Sequence, residues 1–322
     1  MPTSPSRKLS QRFSRYIGLN EHSPWGRRAA DFGIQAVKGH APIAVKGLDF
    51  SELPVPSVTA FAATPLNVTK TDVGTPGGSP TVTASSANGY LAINPGSTAD
   101  TGYNFQWNVA DVPGSLMQFI ASPNTTISAT RDIYWGIRCA FSCGTSAWGT
   151  ANSGKVFMGL AATDVNVMPA ATGVITQATM DQGIGFLIGE DGVINLVTTE
   201  TTGNTITQVA VASPTMATKY PDATNGTTIS LLNSVNWTAA HFHDYFFHAH
   251  WGSADATSAS SFVEFYLDGK LLGTISGAGK LPSLNATDLY NTLEIINGAT
   301  TTGIVDMAIT EILNATPRYH IS

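Results

Sequence analysis

From residue 81 onward the chain is broken every few residues by Gly, Asn, Asp or Pro, and between the breaks lie short runs rich in β-branched and aromatic residues. They include "YLAIN" (90–94), "YNFQWNV" (103–109), "DIYWGIRCAF" (132–141), "KVFMGLAA" (155–162) and "GIGFLIG" (183–189). "GVINLVTT" (192–199), "TITQVAVA" (205–212), "FVEFYLDGKLLGTI" (262–275) and "GIVDMAITEIL" (303–313) continue the series. Strands recurring at this spacing, with no helical pattern between them, can bury their apolar faces only against one another, as a sandwich or a barrel. Composition agrees: charged residues are 12% of the total, and Thr, Ser, Ala, Gly and Asn dominate. A body of 322 residues can hide roughly 75% of its unfolded surface, so neither a disulfide nor a metal is needed for folding.

Two hairpins are expected from Asp-Gly pairs. In "GFLIGEDGVINLV" the turn is centred on Asp191 and Gly192, and in "VEFYLDGKLLGTI" on Asp268 and Gly269, because Asp-Gly supplies the positive φ angles of a tight primed turn. In the second, Val263, Phe265 and Leu267 form an apolar face opposite the mixed face of Phe262, Glu264 and Tyr266. The two cysteines, Cys139 and Cys143, share one face of a strand and lie about 13 Å apart at the usual rise. That spacing is too long for a disulfide, and both read as small buried hydrophobes.

The segment "HFHDYFFHAHW" (241–251) holds four of the seven histidines. As one strand it places His241 and His243 with Tyr245, Phe247, Ala249 and Trp251 on one face. His248 and His250 then lie on the other face with Phe242, Asp244 and Phe246. Two pairs on opposite sides cannot converge on one tetrahedral ion, so the expectation is structural or interface histidines and no metal, with a metal completed by residues elsewhere and a pH-responsive contact as the lesser alternatives.

The stretch from "DYFFHAHW" through "FVEFYLDGKLLGTI" to "LEIINGATTTGIVDMAITEI" resembles the second half of a concanavalin A-like, or laminin G-like, jelly roll. Tyr266, Asp268 and Gly269 match that family's Y-x-D-G strand end, and Asp306, Ala308 and Ile309 roughly match its late "vD-x-i-x-i" strand. "KVFMGLAATD" and "GIGFLIGEDGVINLV" resemble the front half, so the resemblance covers about residues 100 to 315. It implies an all-β, antiparallel jelly-roll β-sandwich. It implies no particular activity, because the matched motifs are architectural.

Ahead of this body lies a different kind of sequence. Residues 1–48 carry eight Lys and Arg against Glu21 and Asp31, a net +6, while residues 49–322 carry eight against twenty, a net −12. Leu9, Phe13, Tyr16 and Ile17 recur at helical spacing among Arg7, Lys8, Arg12 and Arg15, predicting a short amphipathic basic helix stopped by Gly18. Prolines 42, 54, 56 and 65 predict an extended path beyond it. The expected organisation is a basic arm, residues 1–60, and a jelly-roll domain, residues 61–322. Arg7, Lys8, Leu9, Arg12, Phe13, Arg15, Tyr16, Ile17, Trp25, Arg27 and Arg28 are the candidate partner-binding residues of the arm.

Catalytic patterns are missing from the sequence. Glycosidases on this scaffold carry closely spaced carboxylates on one strand, as E-x-D-x-x-E, and no such run occurs; the nearest acids, Glu264 and Asp268, are split by a turn. There is no G-x-S-x-G elbow, P-loop, dinucleotide fingerprint or C-x-x-C pair. Clustered Asp and Asn for Ca²⁺ are likewise not evident. The expectation is a non-enzyme with no cofactor. No run of 18 apolar residues and no apolar signal core occurs, so six N-x-[ST] sequons are expected to be a by-product of Thr-rich composition and synthesis to be cytoplasmic. A dense basic block of the kind that binds nucleic acid is also missing, and neither nucleic acid nor membrane is an expected partner.

These features together suit a virion structural protein. The expectation is a capsid decoration (cement) protein that anchors through its arm to capsid or other virion subunits and forms a homo-oligomer, with the virion as its location. The alternative is a carbohydrate-binding, lectin-like module, in a tail or fibre for instance, that grips a cell-surface glycan through Trp148 in the loop "SCGTSAWGTANSG". A weaker third expectation is an organellar protein targeted by the arm.

Overall fold

The computed structural model describes residues 43–49, 68–75, 81–85, 90–95, 98–107, 131–143, 154–162, 180, 182–190, 192–200, 205–215, 243–253, 255–267, 270–283, 289–299 and 305–317. The strands predicted from the sequence form within these residues, in two sheets in which every pairing is antiparallel.

In chain order the strands are β1 (Ile43–Asp49), β2 (Val68–Val73), β3 (Thr81–Ser85), β4 (Tyr90–Asn94), β5 (Gly102–Trp107), β6 (Arg131–Cys143), β7 (Lys155–Ala161) and β8 (Gly183–Ile188). There follow β9 (Val193–Thr199), β10 (Ile206–Thr215), β11 (His243–Trp251), β12 (Phe262–Leu267), β13 (Lys270–Ser276), β14 (Tyr290–Ile296) and β15 (Val305–Pro317). Sheet A has the order β13-β12-β11-β6-β15-β4-β3, with β1 also on β15, and sheet B has the order β10-β9-β8-β7-β14-β5-β2. The fold is an antiparallel jelly-roll β-sandwich.

Alternation decides which side chains enter the space between the sheets. Ile133, Trp135, Ile137 and Cys139 of β6, Tyr245, Phe247, Ala249 and Trp251 of β11, and Val263, Phe265 and Leu267 of β12 point inward from sheet A. Val156, Met158 and Leu160 of β7, Ile184, Phe186 and Ile188 of β8, and Leu293 and Ile295 of β14 meet them from sheet B. Phe186 is central to the packing: its ring sits edge-on to Tyr245 at 5.4 Å and to Phe265 at 5.2 Å, the arrangement that ring quadrupoles favour. Cys139 is buried and not in a disulfide, with its thiol directed at Met158 Sδ, 3.7 Å away. A hydrogen bond also crosses the core, from Trp135 Nε1–H to Asn291 Oδ1 at 2.9 Å.

Sheet B carries buried apolar side chains on both faces. Phe157, Leu187, Val197, Ile296 and Val73 lie on the face turned away from the main core, and Met180 joins them in a second buried cluster. This is why β7 and β8 are buried at every position instead of alternating. The inter-strand fit is tight here, since a Cβ on Gly159 would lie 2.1 Å from the Ile184 carbonyl oxygen and 2.6 Å from Gly185 Cα.

The hairpins follow the sequence in one case and depart from it in the other. Leu267 pairs with Lys270, so two residues, Asp268 and Gly269, join β12 to β13 as expected. Between β8 and β9, Gly189 N–H donates to Val193 O and Gly192 N–H to Gly189 O, with Gly192 at φ 73°. The loop therefore closes on Gly189 and Val193 and spans three residues, one more than a primed turn centred on Asp191 and Gly192, and Gly192 supplies the left-handed position.

β1 lies inside the segment expected to be an arm and pairs with β15 from Ile43↔Pro317 to Asp49↔Glu311. The helix expected around residues 7–17, and every candidate partner-binding residue of the arm from Arg7 to Arg28, lie outside the described residues.

Candidate functional site

The outer face of sheet A brings together the residues left over once β6, β11 and β12 have filled the core. Backbone register arranges them in rows across the strands. Gly136, Phe246, Tyr266 and Leu271 form one row; Tyr134, His248, Glu264 and Thr274 form the next. His250, Phe262 and Ser276 continue the pattern, and Arg138 and Asp244 lie on the other side of the Phe246 row.

Gly136 is what lets the first row close. A Cβ there would be 3.0 Å from Phe246 Cδ2, so the phenyl ring lies over bare backbone. Phe246 then approaches Tyr134 at 6.3 Å and Tyr266 at 6.5 Å. In the next row the His248 imidazole stacks on Tyr134 at 4.4 Å with an interplanar angle of 11°, and Phe262 meets it edge-on at 5.3 Å. His250 stacks on Phe262 at 5.0 Å. His248, Phe246 and Tyr134 are buried, whereas His250, Phe262, Glu264 and Tyr266 are half-buried.

Among these rings sits a carboxylate. Tyr266 donates its hydroxyl to Glu264 Oε2 at 2.8 Å, and His248 Nδ1 lies 3.8 Å from the same oxygen, an ion pair whenever the imidazole is protonated. The second carboxylate is occupied differently: Arg138 Nη1 donates to both Asp244 oxygens, at 3.0 and 3.1 Å. Leu271, 54% exposed, carries apolar surface from the Phe246 row out to the sheet edge. The face offers ring surfaces, an acceptor carboxylate and a phenolic hydroxyl within a few residues of one another.

Histidine placement follows the period-2 expectation. Tyr245, Phe247, Ala249 and Trp251 are in the core, and His248 and His250 lie on the outer face with Phe246 and Asp244. His241 lies outside the described residues. Among the described residues no group of three or more His, Cys, Asp or Glu could hold a metal ion. Trp148, the candidate carbohydrate-binding residue, also lies outside them. Tyr134, Arg138, Phe246, Glu264 and Tyr266 were not singled out as a site from the sequence; the signal that could have found them is the polar half of each alternating strand once β6 is known to neighbour β11.

A second polar cluster lies at the end of sheet B. Lys155 is fully buried, with Glu190 Oε1 3.4 Å from its Nζ, and Glu294, also buried, accepts from Asn104 Nδ2 at 2.7 Å. Burial holds the Lys155 ammonium below its ordinary pKa, while Glu190, Asp100 and Glu294 oppose that shift. These groups are packed into the sheet rather than presented at its surface.

No protein family and no curated protein matches the sequence. Among solved structures, a protein of unknown function from Shewanella oneidensis MR-1 is 14% identical, with 100% of this chain and 99% of the other covered and a TM-score of 0.44. Peanut lectin is 9% identical over 87% of this chain and 100% of its own, with a TM-score of 0.41. An endo-1,3-beta-glucanase from Streptomyces sioyaensis is 14% identical over 85% and 96%, also at 0.41.

Proposed function

We propose that the protein is a carbohydrate-binding, lectin-like module whose ligand lies across the outer face of sheet A. The observation that carries this reading is Glu264 Oε2 set among rings, with the Tyr266 hydroxyl bound to it and His250, Phe262 and Phe246 alongside. A sugar presents flat patches of C–H next to hydroxyl groups. Ring surfaces suit the former and a carboxylate the latter, the combination of apolar lining and a few placed polar groups typical of small-ligand sites. Losing a hydrogen bond to a charged group costs about 1.5–3 kcal/mol, which corresponds to roughly a 10- to 100-fold weaker affinity. A glycan array of the purified chain, followed by calorimetry on Glu264→Ala and Tyr266→Ala, tests the reading. Binding that both variants weaken by that factor, at unchanged thermal midpoint, supports it; no glycan bound, or binding indifferent to both changes, refutes it.

A second reading, assembly into a virion as a decoration, tail or fibre protein, draws on the charge division along the chain, +6 over residues 1–48 against −12 over the remainder. A basic arm of one copy suits the acidic body of a neighbour, and ordering such a segment on contact adds buried area at a cost in chain entropy. The two roles are compatible in one protein. Deleting residues 1–42, ahead of β1, should abolish incorporation into particles while leaving glycan binding intact; unchanged incorporation would remove this reading.

A further inference from the structure

Along β12 the outer face of sheet A alternates ring, carboxylate, ring. Phe262, Glu264 and Tyr266 fall at every second position and are each half-buried, while Val263, Phe265 and Leu267 between them fill the core. β11 continues each step through its register partner. His250 stacks on Phe262 at 5.0 Å, His248 Nδ1 lies 3.8 Å from Glu264 Oε2, and Phe246 meets Tyr266 edge-on at 6.5 Å. On the other side, β13 sets the exposed Ser276 and Thr274 opposite Phe262 and Glu264. The face therefore has two aromatic rungs with a polar rung between them and hydroxyl groups along one flank. Phe262 and Tyr266 are four positions apart, which at the usual strand rise sets the outer rungs about 13 Å apart.

We infer that the ligand is a straight glycan chain of at least three sugar residues, β-1,4-linked, that runs along β12 with its end rings on the two aromatic rungs and its middle ring at Glu264. This rests on the glycan reading of the face and narrows it to a class of ligand. A single pyranose is shorter than the distance between the rungs, so a lone terminal sugar reaches one of them and leaves the other unused. Linkage geometry follows from the straightness of the strand. A bond that is equatorial on both rings and joins opposite ends of each keeps successive rings in one plane. Their flat C–H faces then rest on the aromatic rungs, and their hydroxyl groups lie at the chain edges, within reach of Glu264 and of Thr274 and Ser276 on the flank. An axial linkage, or a 1,3 linkage, turns the chain and carries the third ring away from the second rung.

Calorimetry on the full-length chain tests it, with β-1,4-linked oligomers of glucose and of N-acetylglucosamine from one to five residues. Oligomers of glucose linked α-1,4 and β-1,3, together with galactose and N-acetylneuraminic acid as single sugars, complete the probes. In a β-1,4 series affinity should climb from the dimer to the trimer or tetramer and then level. Phe262→Ala and Tyr266→Ala, at opposite rungs, should each weaken tetramer binding by about 10-fold and bring it close to that of the dimer, whereas Glu264→Ala should weaken every length. Both rings are already partly in water, so the thermal midpoints of these variants should match the wild type. Binding that needs Glu264 yet is as tight for a single sugar as for a tetramer, that favours the α-1,4 or β-1,3 series, or that ignores Phe262→Ala overturns the inference and leaves the glycan reading standing. No heat with any β-1,4 oligomer overturns it too, and a glycan array without a bound sugar removes the reading itself.

Discussion

The hydrogen bond between Trp135 and Asn291 allows the cohesion of the two sheets to be tested one atom at a time. Both side chains are almost fully buried, at 1% and 0% exposure, and the indole N–H can only donate, so its 2.9 Å contact is with Asn291 Oδ1. Asn291 Nδ2 has no hydrogen-bond partner. Asn291→Leu strands the indole donor, at about 1–3 kcal/mol, but also removes a buried amide donor that was already unmet, a gain of similar size. Its net effect should be within about 1 kcal/mol of zero. Trp135→Phe adds the loss of packed volume to a newly stranded Oδ1, and should cost about 3–5 kcal/mol. In the double variant no polar atom of the pair remains and only the volume loss is felt, so the two changes should couple by about 2 kcal/mol in the favourable direction. Urea unfolding followed by far-ultraviolet circular dichroism gives all four corners of this cycle. Additivity within about 0.5 kcal/mol would mean that the pair does not join the sheets energetically, and the reasoning from the stranded donor would be wrong.

Two further outcomes are expected. Gly159→Ala should be strongly destabilising, by roughly 3 kcal/mol or more, because its Cβ would meet the Ile184 carbonyl and Gly185 backbone of the adjacent strand; a thermal melt within a degree or two of wild type would contradict this. Tyr103, buried and facing the charge of Asp72, has its phenol pKa raised from 10.0 to about 12. Between those values the unfolded chain has lost a proton that the folded chain still holds, so stability falls as pH rises through this window, by on the order of 2 kcal/mol. Unfolding measured at stepped pH should show that slope in the wild type and lose it in Tyr103→Phe.

The sequence was most informative where one physical rule acted alone. Val263, Phe265 and Leu267 alternate with Phe262, Glu264 and Tyr266 because one face of β12 meets the core and the other does not, and the same period divided the β11 histidines. β7 and β8 are harder to read by alternation, since Phe157 and Leu187 answer to a second apolar layer; their unbroken apolar runs are the mark of burial on both sides. The site was less legible still. Tyr134 and Glu264 are 130 positions apart in sequence and become neighbours only because β11 sits between β6 and β12, an order that no local pattern encodes. The β8–β9 loop shows the same limit on a small scale: Asp-Gly marked the reversal, but the closing pair, Gly189 and Val193, was set by the register of the strands.

The strand order also bears on how the ribosome delivers this fold. β15, at residues 305–317, lies between β6 and β4 in sheet A, and β14, at residues 290–296, lies between β7 and β5 in sheet B. Both sheets thus receive an interior strand from residues 290–317, later in sequence than every neighbour of those two strands. Until β14 and β15 have left the ribosome, β6, β4, β7 and β5 are each without a neighbour that the finished sheets supply. Their pairing edges stay open until then, the circumstance in which nascent chains aggregate or recruit chaperones. A chain truncated before residue 290 would lack an interior strand in both halves of the sandwich.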